Sequence, residues 1–392
     1  MKTTSSGAEV RDSSLTRREE GLNTRCVHSA HAPEPTTGAV AEPIYLSTTF
    51  ERDADGAYPR GYRYGREGTP NRTALESCMA ALEGGVAALA FASGLAANMA
   101  LLELLRPGDH VVAPLAAYYG TLKQFREHVI ERGVAVDFVD FSDPAAIGRV
   151  LTSRTRLVWI ETPANPLLGI TDLALVSAMA HDSGALTVCD NTFATPVCQR
   201  PFNYGVDVIV HSGTKYLGGH SDVLSGVLVI RQDAALAEQL LSWQRLTGAV
   251  LAPFDCWLLR RSIATLGVRV RAQCQNALLI ANFLAAHPAV ERVYYPGLPQ
   301  HPGHATAAAQ MPGGFGAVLS VCVAGGREAA IDSARRTRFF TRATSLGGVE
   351  SLIEHRASIE GPGSSTPQNL LRLSVGIEDS EDLIDDLAQA LA

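Results

Sequence analysis

Short apolar runs alternate with helical segments through the first two thirds of the chain. The runs that we predict to be buried strands are AALAFASG, HVVAP, AVDFVDF, RLVWIETPANP, ALTVCDNT and DVIVHSGTK. Between them, TALESCMAALEGG and LAANMALLELLRPGD carry apolar residues at helical spacing and end at Gly or Pro. This order predicts an α/β unit with a largely parallel sheet that helices cover on both faces.

The pattern changes near residue 250. A long helical region follows, DCWLLRRSIATLGVRVRAQCQNALLIANFLAAH, and we predict a break in it at Gly267. The strands GAVLSVCV and LLRLSVGIE come next, and SEDLIDDLAQALA reads as an amphipathic helix with Ser380 at its start. We therefore predict an N-terminal arm with an irregular segment (1–63), a large domain (64–255) and a smaller α+β domain (256–392).

Composition argues against several classes of partner and location. The net charge is −7, from 33 basic and 40 acidic residues with no basic block, so we expect neither nucleic acids nor anionic membranes as partners. No stretch approaches the roughly 18 apolar residues of a transmembrane helix. The polar start lacks the apolar segment of a signal peptide. Seven cysteines without a Cys-x-x-Cys pair predict free thiols, with Cys189 and Cys322 buried, and a cytoplasmic location.

Polar residues collect where the predicted strands end, which is where open parallel sheets bind ligands. Asp190 closes ALTVCD, Asn165 follows RLVWIETPAN, and HSGTKYLGGHSD places Lys215 among small residues. Residues 92–94 join a strand to a helix start, whose free N–H groups suit a phosphate. Each feature alone has a structural explanation, such as a helix cap, a turn or a surface charge.

Together these residues specify pyridoxal phosphate. Lys215 can form an imine with the cofactor aldehyde, and Asp190 can keep the pyridine nitrogen protonated so that the ring accepts carbanion electrons. Ser212, Thr214 and the amides of residues 94–95 would hold the phosphate. The small residues beside Lys215 would let the cofactor approach the backbone.

The two histidines of HSGTKYLGGHSD raise a metal site as a weaker alternative. His211 and His220 lie nine residues apart across a Gly-rich turn. No Cys or Glu cluster completes a ligand set around them. We therefore predict no metal at this stretch.

Seven motifs, in family order, make the chain resemble the cystathionine/methionine family of pyridoxal-phosphate enzymes, which cut or form C–S bonds in amino acids. These motifs are YRYGREGTPNR, FASGLAA, ETPANP, DNTFATP, HSGTKYLGGHSD, ATSLGGVESLIEH and LLRLSVGIED. The resemblance runs from about residue 22 to the end. It implies the type I fold of pyridoxal-phosphate-dependent transferases, whose large domain has a mostly parallel seven-stranded sheet, and a homotetramer of two intimate dimers.

The resemblance also implies roles for individual residues. Tyr64 and Arg66 match residues that reach into the neighbouring subunit to grip its cofactor phosphate, and we expect the segment 1–63 to contact that subunit. Tyr119 matches the tyrosine that stacks on the ring and handles protons. The implied cofactor contacts are Tyr64, Arg66, Ser93, Gly94, Leu95, Tyr119, Asn165, Asp190, Thr192, Ser212, Thr214 and Lys215, of which Lys215, Tyr119 and Asp190 are predicted to be catalytic.

A second set is predicted to bind the substrate. Ser345 and Arg372 match groups that bind its carboxylate, and a fixed Arg presents a fork to a planar carboxylate. Asn165 matches the asparagine beside the ring hydroxyl. Arg63 and Thr344 stand where members that handle cystathionine tend to carry acids.

The implied reaction is elimination or replacement at the γ (or β) carbon of sulfur-containing or O-activated amino acids. The enzyme would be a C–S lyase, a cystathionine γ-synthase type or a specialised biosynthetic γ-replacement enzyme. Unless Arg63 pairs with Glu67, its charge would repel the distal ammonium of cystathionine, so we expect a simpler γ-substituted amino acid to be used at least as well. An aminotransferase would use the same cofactor parts, but SLGGVESL argues against one. A non-catalytic pyridoxal-phosphate-binding regulator would need a further DNA- or partner-binding domain.

Overall fold

The computed structural model of the chain describes residues 20–360 and 366–392. The first 19 residues of the predicted arm lie outside this part. The rest of the arm begins with helix α1 (Leu22–His28), which packs against α2 (Pro70–Glu83). Thr69 caps the start of α2, and Gly84 follows its last residue with a φ of 85°, which favours glycine.

The larger sheet confirms the predicted alternation of strands and helices. Its seven strands are β1 (Ala87–Phe91), β2 (His110–Pro114), β3 (Ala135–Val139), β4 (Thr155–Glu161), β5 (Leu186–Asp190), β6 (Val208–Ser212) and β7 (Gly226–Ile230). The accompanying α-helices are α3 (Gly94–Leu102), α4 (Tyr119–Gln124), α5 (Pro144–Val150), α6 (Leu173–Asp182), α7 (Thr195–Cys198) and α8 (Ala234–Thr247). A π-helical turn (Phe125–Val129) and a 3₁₀ turn (Pro201–Tyr204) complete this part.

The strand order is β1-β7-β6-β5-β4-β2-β3, and only β7 runs against its neighbours within this sheet. The sheet is buried on both faces because alternate side chains enter two different cores. On β6, for example, Val208 and Val210 join the core on one face, and Ile209 joins the core on the other. β4, β5 and β6 run parallel to one another, so their carboxyl ends meet at one edge of the sheet.

The C-terminal part forms a second sheet, as the predicted α+β unit requires. Its strands, in the order β10-β11-β12-β9-β8, are β8 (Val290–Tyr294), β9 (Val318–Val323), β10 (Thr341–Arg342), β11 (Leu352–His355) and β12 (Leu370–Ser374). Only β10 and β11 pair in parallel here. Its α-helices are α9 (Pro253–Ile263), α10 (Leu266–Ala285), α11 (His304–Gln310), α12 (Gly326–Arg336), α13 (Arg356–Glu360) and α14 (Ser380–Leu391).

The long helical region does break, but not at Gly267. α9 ends at Ile263 and α10 begins at Leu266, so Gly267 lies inside the second helix. A Cβ at Gly267 would come within 2.1 Å of the side-chain oxygen of Asn23 in α1. The glycine therefore allows α1 to approach α10 closely, and it does not interrupt the helix.

The domain boundary at 255/256 stays a prediction, although the strands of the two sheets fall on either side of it. α9 lies across this boundary and packs against α2. All seven cysteines are buried and free, as predicted for Cys189 and Cys322. Among the described residues, no helix combines the length and the apolar character needed to cross a membrane.

Candidate active site

Lys215 lies just beyond β6, and its amine meets a residue from the other end of the chain. Its Nζ donates a hydrogen bond to Oγ of Ser345, 2.8 Å away and 130 residues later in the sequence. Burial, the larger cause, and the nearby charge of Arg372 together lower the pKa of Lys215 from 10.5 to about 8. A lysine in this state has a substantial neutral fraction near neutral pH, which a nucleophile and a proton carrier both need.

Ser345 is held in a backbone conformation that is unusual for a residue with a side chain. Its φ is 92°, in the left-handed region. Arg372, on β12, donates from Nη2 to the Ser345 carbonyl at 3.0 Å and from Nη1 to Oδ1 of Asn165 at 3.2 Å. Strained residues persist where surrounding contacts hold them, so Ser345 is a candidate for a functional position. The structure thus brings together four predicted residues, Lys215, Ser345, Arg372 and Asn165.

Asp190 is the last residue of β5, and Ser212 is the last residue of the neighbouring strand β6. The backbone N–H of Thr192 donates to Oδ1 of Asp190 at 3.0 Å, and Oγ1 of Thr192 accepts from the Ser212 N–H at 2.8 Å. Burial raises the pKa of Asp190 above its ordinary value. Thr192 therefore orients Asp190 and Ser212, whereas the sequence predicted only a contact with the cofactor.

The predicted phosphate cradle lies at the start of α3. Ser93 caps this helix by accepting the Ala96 N–H at 3.1 Å, and among the described residues the N–H groups of Gly94 and Leu95 have no hydrogen-bond partner. A Cβ at Gly94 would lie 3.3 Å from the Cβ of Ser212, so the glycine lets the helix end sit against β6. Such free donors at a helix start suit an anion, and phosphate binding here stays a prediction.

Thr214 is engaged elsewhere. Its Oγ1 donates to the Ser225 carbonyl at 3.2 Å and accepts the Ser225 N–H at 3.0 Å. The single hydroxyl proton is therefore committed to the backbone in this structure. Its contact with a phosphate stays a prediction.

Four predicted residues lie at the surface of the chain. Tyr64 is 46% exposed and Tyr119 is 48% exposed, so neither is a core residue of the isolated chain. Arg66 donates from Nη1 to the Arg245 carbonyl at 2.6 Å, and Thr344 is exposed. These side chains are available to a neighbouring subunit or to a ligand.

Arg63 is also exposed, and it is paired. It forms an ion pair with Glu67, in which Nε and Oε2 are 2.8 Å apart. The structure therefore shows the alternative in which this charge is balanced by Glu67. A contact of Arg63 with substrate stays a prediction.

Two buried acids were not singled out from the sequence. Glu354 lies directly opposite Arg372 in the pairing of β11 with β12, and their closest side-chain atoms are 2.7 Å apart. Glu161 ends β4 and pairs across the sheet with Asp190. An acid at the carboxyl end of a buried strand was the available signal for Glu161, because the same signal identified Asp190.

Both histidines of HSGTKYLGGHSD hydrogen-bond to other residues of the chain. His211 is fully buried, with Nε2 2.6 Å from Oε1 of Glu83. Nδ1 of His220 lies 2.8 Å from the Gly218 carbonyl. In the part of the chain that the structure describes, no group of three or more His, Cys, Asp or Glu side chains could hold a metal ion.

The family described as Cys/Met metabolism PLP-dependent enzyme matches residues 23–392. The chain belongs to this family. It is 48% identical to cystathionine gamma-synthase of Mycobacterium bovis, over 95% of the chain and 97% of that protein. It is 44% identical to cystathionine beta-lyase of Coxiella burnetii, over 95% and 98%. The crystal structure of metB from Corynebacterium glutamicum has a TM-score of 0.93 and 43% identity, and the match covers 95% of this chain and 98% of that one.

Membership of the Cys/Met metabolism family makes this chain a pyridoxal-phosphate-dependent enzyme. The residues present fit that cofactor. Free N–H groups at the start of α3 and the hydroxyl of Ser212 suit its phosphate, Asp190 suits its pyridine nitrogen, and the amine of Lys215 suits its aldehyde. A Cβ at Gly226 would meet the Ser93 carbonyl at 2.2 Å, so no larger residue fits against the strand that carries this cradle.

Proposed function

We propose that the enzyme uses pyridoxal phosphate to eliminate or replace the γ (or β) substituent of an amino acid. The observation that carries this proposal is the contact of the Lys215 amine with Ser345, which Arg372 and Asn165 adjoin. A basic amine next to a carboxylate-binding guanidinium matches the head group of an α-amino acid. The names of the two curated relatives, a synthase and a β-lyase, agree with this class of reaction.

Each residue has a task in this proposal. Bound pyridoxal phosphate supplies a ring that accepts electrons from the substrate Cα. Lys215 takes the Cα proton and then moves a proton away from Cβ, so that the electrons left there can expel the γ substituent, as its pKa of about 8 allows. Arg372 holds the carboxylate, Asp190 keeps a proton on the ring nitrogen, and Tyr119 supplies a proton to the leaving group.

The ion pair of Arg63 changes the expected substrate preference. With Glu67 beside it, Arg63 brings no net charge to this part of the surface. The electrostatic reason for poor use of L-cystathionine therefore loses its support. We propose a γ-substituted amino acid of the homoserine or homocysteine type, with L-cystathionine included among the candidates.

We further propose a homotetramer in the cytoplasm, with active sites shared between subunits. The exposure of Tyr64 and Tyr119 supports a shared site, because both match residues that contact the cofactor. Ile44, Tyr45 and Leu46 add exposed apolar surface to the N-terminal segment, as an intersubunit contact requires. Seven free cysteines suit a reducing compartment.

A substrate panel tests the reaction class. The panel contains L-cystathionine, L-methionine, an O-acyl-L-homoserine and an O-acyl-L-serine, each with and without an added thiol. We expect 2-oxo acid release from the γ-substituted compounds without thiol and a new thioether product with thiol. Lys215→Ala is the control and should give neither.

Two results would contradict the proposal. Conversion of the cofactor to its pyridoxamine form by an amino acid alone, reversed by an added 2-oxo acid, would identify an aminotransferase. Tight cofactor binding without turnover of any compound in the panel would favour a non-catalytic regulator.

A further inference from the structure

Glu161 is a buried acid whose two carboxylate oxygens bond to two different loops. Its side chain closes β4, and the residue is 4% exposed. Oε2 accepts the backbone N–H of Tyr118 at 2.8 Å, and Oε1 accepts the backbone N–H of Asn165 at 3.0 Å. A carboxylate that accepts at both oxygens fixes the distance between its two donors.

The first loop joins β2 to α4. Leu115 at its start donates to the Val139 carbonyl at 2.8 Å, and Tyr118 at its end donates to Glu161. In the described part of the chain, Glu161 is the one side chain that hydrogen-bonds to residues 115–118. Tyr119 is the residue after Tyr118, so the hydrogen bond from the Tyr118 N–H to Glu161 fixes the position of the Tyr119 backbone.

The second loop carries Asn165, from which hydrogen bonds continue to the amine. Oδ1 of Asn165 accepts from Arg372 at 3.2 Å, and Arg372 donates to the Ser345 carbonyl at 3.0 Å. Oγ of Ser345 accepts from Lys215 at 2.8 Å. Glu161 is therefore the point at which the Tyr119 loop joins the network around Lys215.

The position of this acid is electrostatically costly. Burial, the larger cause, and the charge of Asp190, directly across the sheet, together raise the pKa of Glu161 to about 8. The site has two neighbouring carboxyl groups, although only one can serve the ring nitrogen. The second is explained by the two N–H groups that it accepts, since the N–H of Asn165 would otherwise be buried without a partner.

We propose that Glu161 is a positioning residue that holds Tyr119 and Asn165 at a fixed separation, on the two loops that contact the cofactor ring. It touches neither cofactor nor substrate in this role, and it acts through the backbone at 118 and 165. The proposal rests on the site described under the proposed function.

The test measures the affinity of the cofactor-free protein for pyridoxal phosphate and the near-ultraviolet circular dichroism of the bound ring. Glu161→Gln keeps the shape but turns an N–H donor toward one of the two backbone N–H groups. One buried hydrogen bond is lost, so we expect the dissociation constant to rise about tenfold or more, with a weaker dichroic signal.

Glu76→Gln is the matched control. Glu76 is a half-buried acid on α2 that accepts the Ala90 N–H at 2.8 Å, and burial raises its pKa to about 7. It bonds to neither loop. We expect it to lower the melting temperature of the cofactor-free protein as Glu161→Gln does, with cofactor affinity and dichroism unchanged.

A second pair of variants removes the donor and keeps Glu161. Tyr118 has a φ of −51°, which proline can adopt, so Tyr118→Pro deletes the N–H while Tyr118→Ala retains it. We expect weaker cofactor binding in the proline variant than in the alanine variant. If Glu161→Gln does not fold, the comparison of cofactor binding between the two Tyr118 variants tests the proposal by itself.

Two outcomes overturn the inference. One is wild-type cofactor affinity and dichroism in folded Glu161→Gln, and the other is equal affinity in the two Tyr118 variants. Failure of the proposed function is distinguished by Lys215→Ala. If that variant keeps a borohydride-reducible cofactor bond, the site itself is wrongly assigned, whatever Glu161 does.

Discussion

The rate at which cofactor-free protein captures pyridoxal phosphate should report the pKa of Lys215. Only the neutral amine attacks an aldehyde, so the rate rises with pH until the amine is deprotonated. Burial and Arg372 lower this pKa from 10.5 to about 8. At pH 7 about one amine in ten is then neutral, against about one in 3,000 for an ordinary lysine, a ratio of roughly 300.

The assay follows cofactor absorbance by stopped flow between pH 6 and 10. A lysine derivative blocked at its α-amine and carboxyl is measured in the same buffers, which cancels the titration of free pyridoxal phosphate. We expect a midpoint near pH 8 for the protein. Arg372→Leu should move the midpoint upward but leave it below 10.5, because burial is the larger cause.

The site of attachment is checked by borohydride reduction and peptide mapping. The sequence has only three lysines, Lys2, Lys123 and Lys215, so the assignment is unambiguous. The side chain of Lys123 is 52% exposed and should remain unlabelled. A midpoint near 10.5 in the wild type, or a lower midpoint in Arg372→Leu, would refute the reasoning.

Three further predictions concern the same site. Asp190→Asn should retain the cofactor but slow removal of the Cα proton, as a kinetic isotope experiment with Cα-deuterated substrate can measure, and unchanged turnover would exclude its role. Mixing inactive Tyr64→Ala with inactive Lys215→Ala should restore some activity once subunits exchange, because hybrid dimers contain one intact site; no recovery would count against a shared site. Glu354→Gln should lower the free energy of unfolding by about 3 kcal/mol, since it leaves the Arg372 guanidinium buried without its carboxylate; an unchanged denaturation midpoint would argue against that ion pair.

The sequence by itself determined the order of elements and the residues with reactive groups. Apolar runs, with Gly and Pro at their ends, predicted six of the seven strands of the larger sheet, because burial on both faces requires continuous apolar runs; β7 was not predicted. Lys215 and Asp190 could be identified because each lies at the end of such a strand, and a local pattern shows that position. The change of pattern near residue 250 predicted the smaller α+β domain, and motifs in family order added the predicted substrate-binding residues.

Only the tertiary structure decided which of these residues contact each other and how deeply they are buried. The contact of Gly267 with α1 joins segments more than 200 residues apart, so the sequence pattern showed a glycine but not its neighbour. Glu161 could not be distinguished from other strand-end acids until two loops placed their N–H groups on it. The lowered pKa of Lys215 likewise depends on burial beside Arg372, 157 positions later in the sequence. Such properties come from distances in the folded chain, which local spacing does not contain.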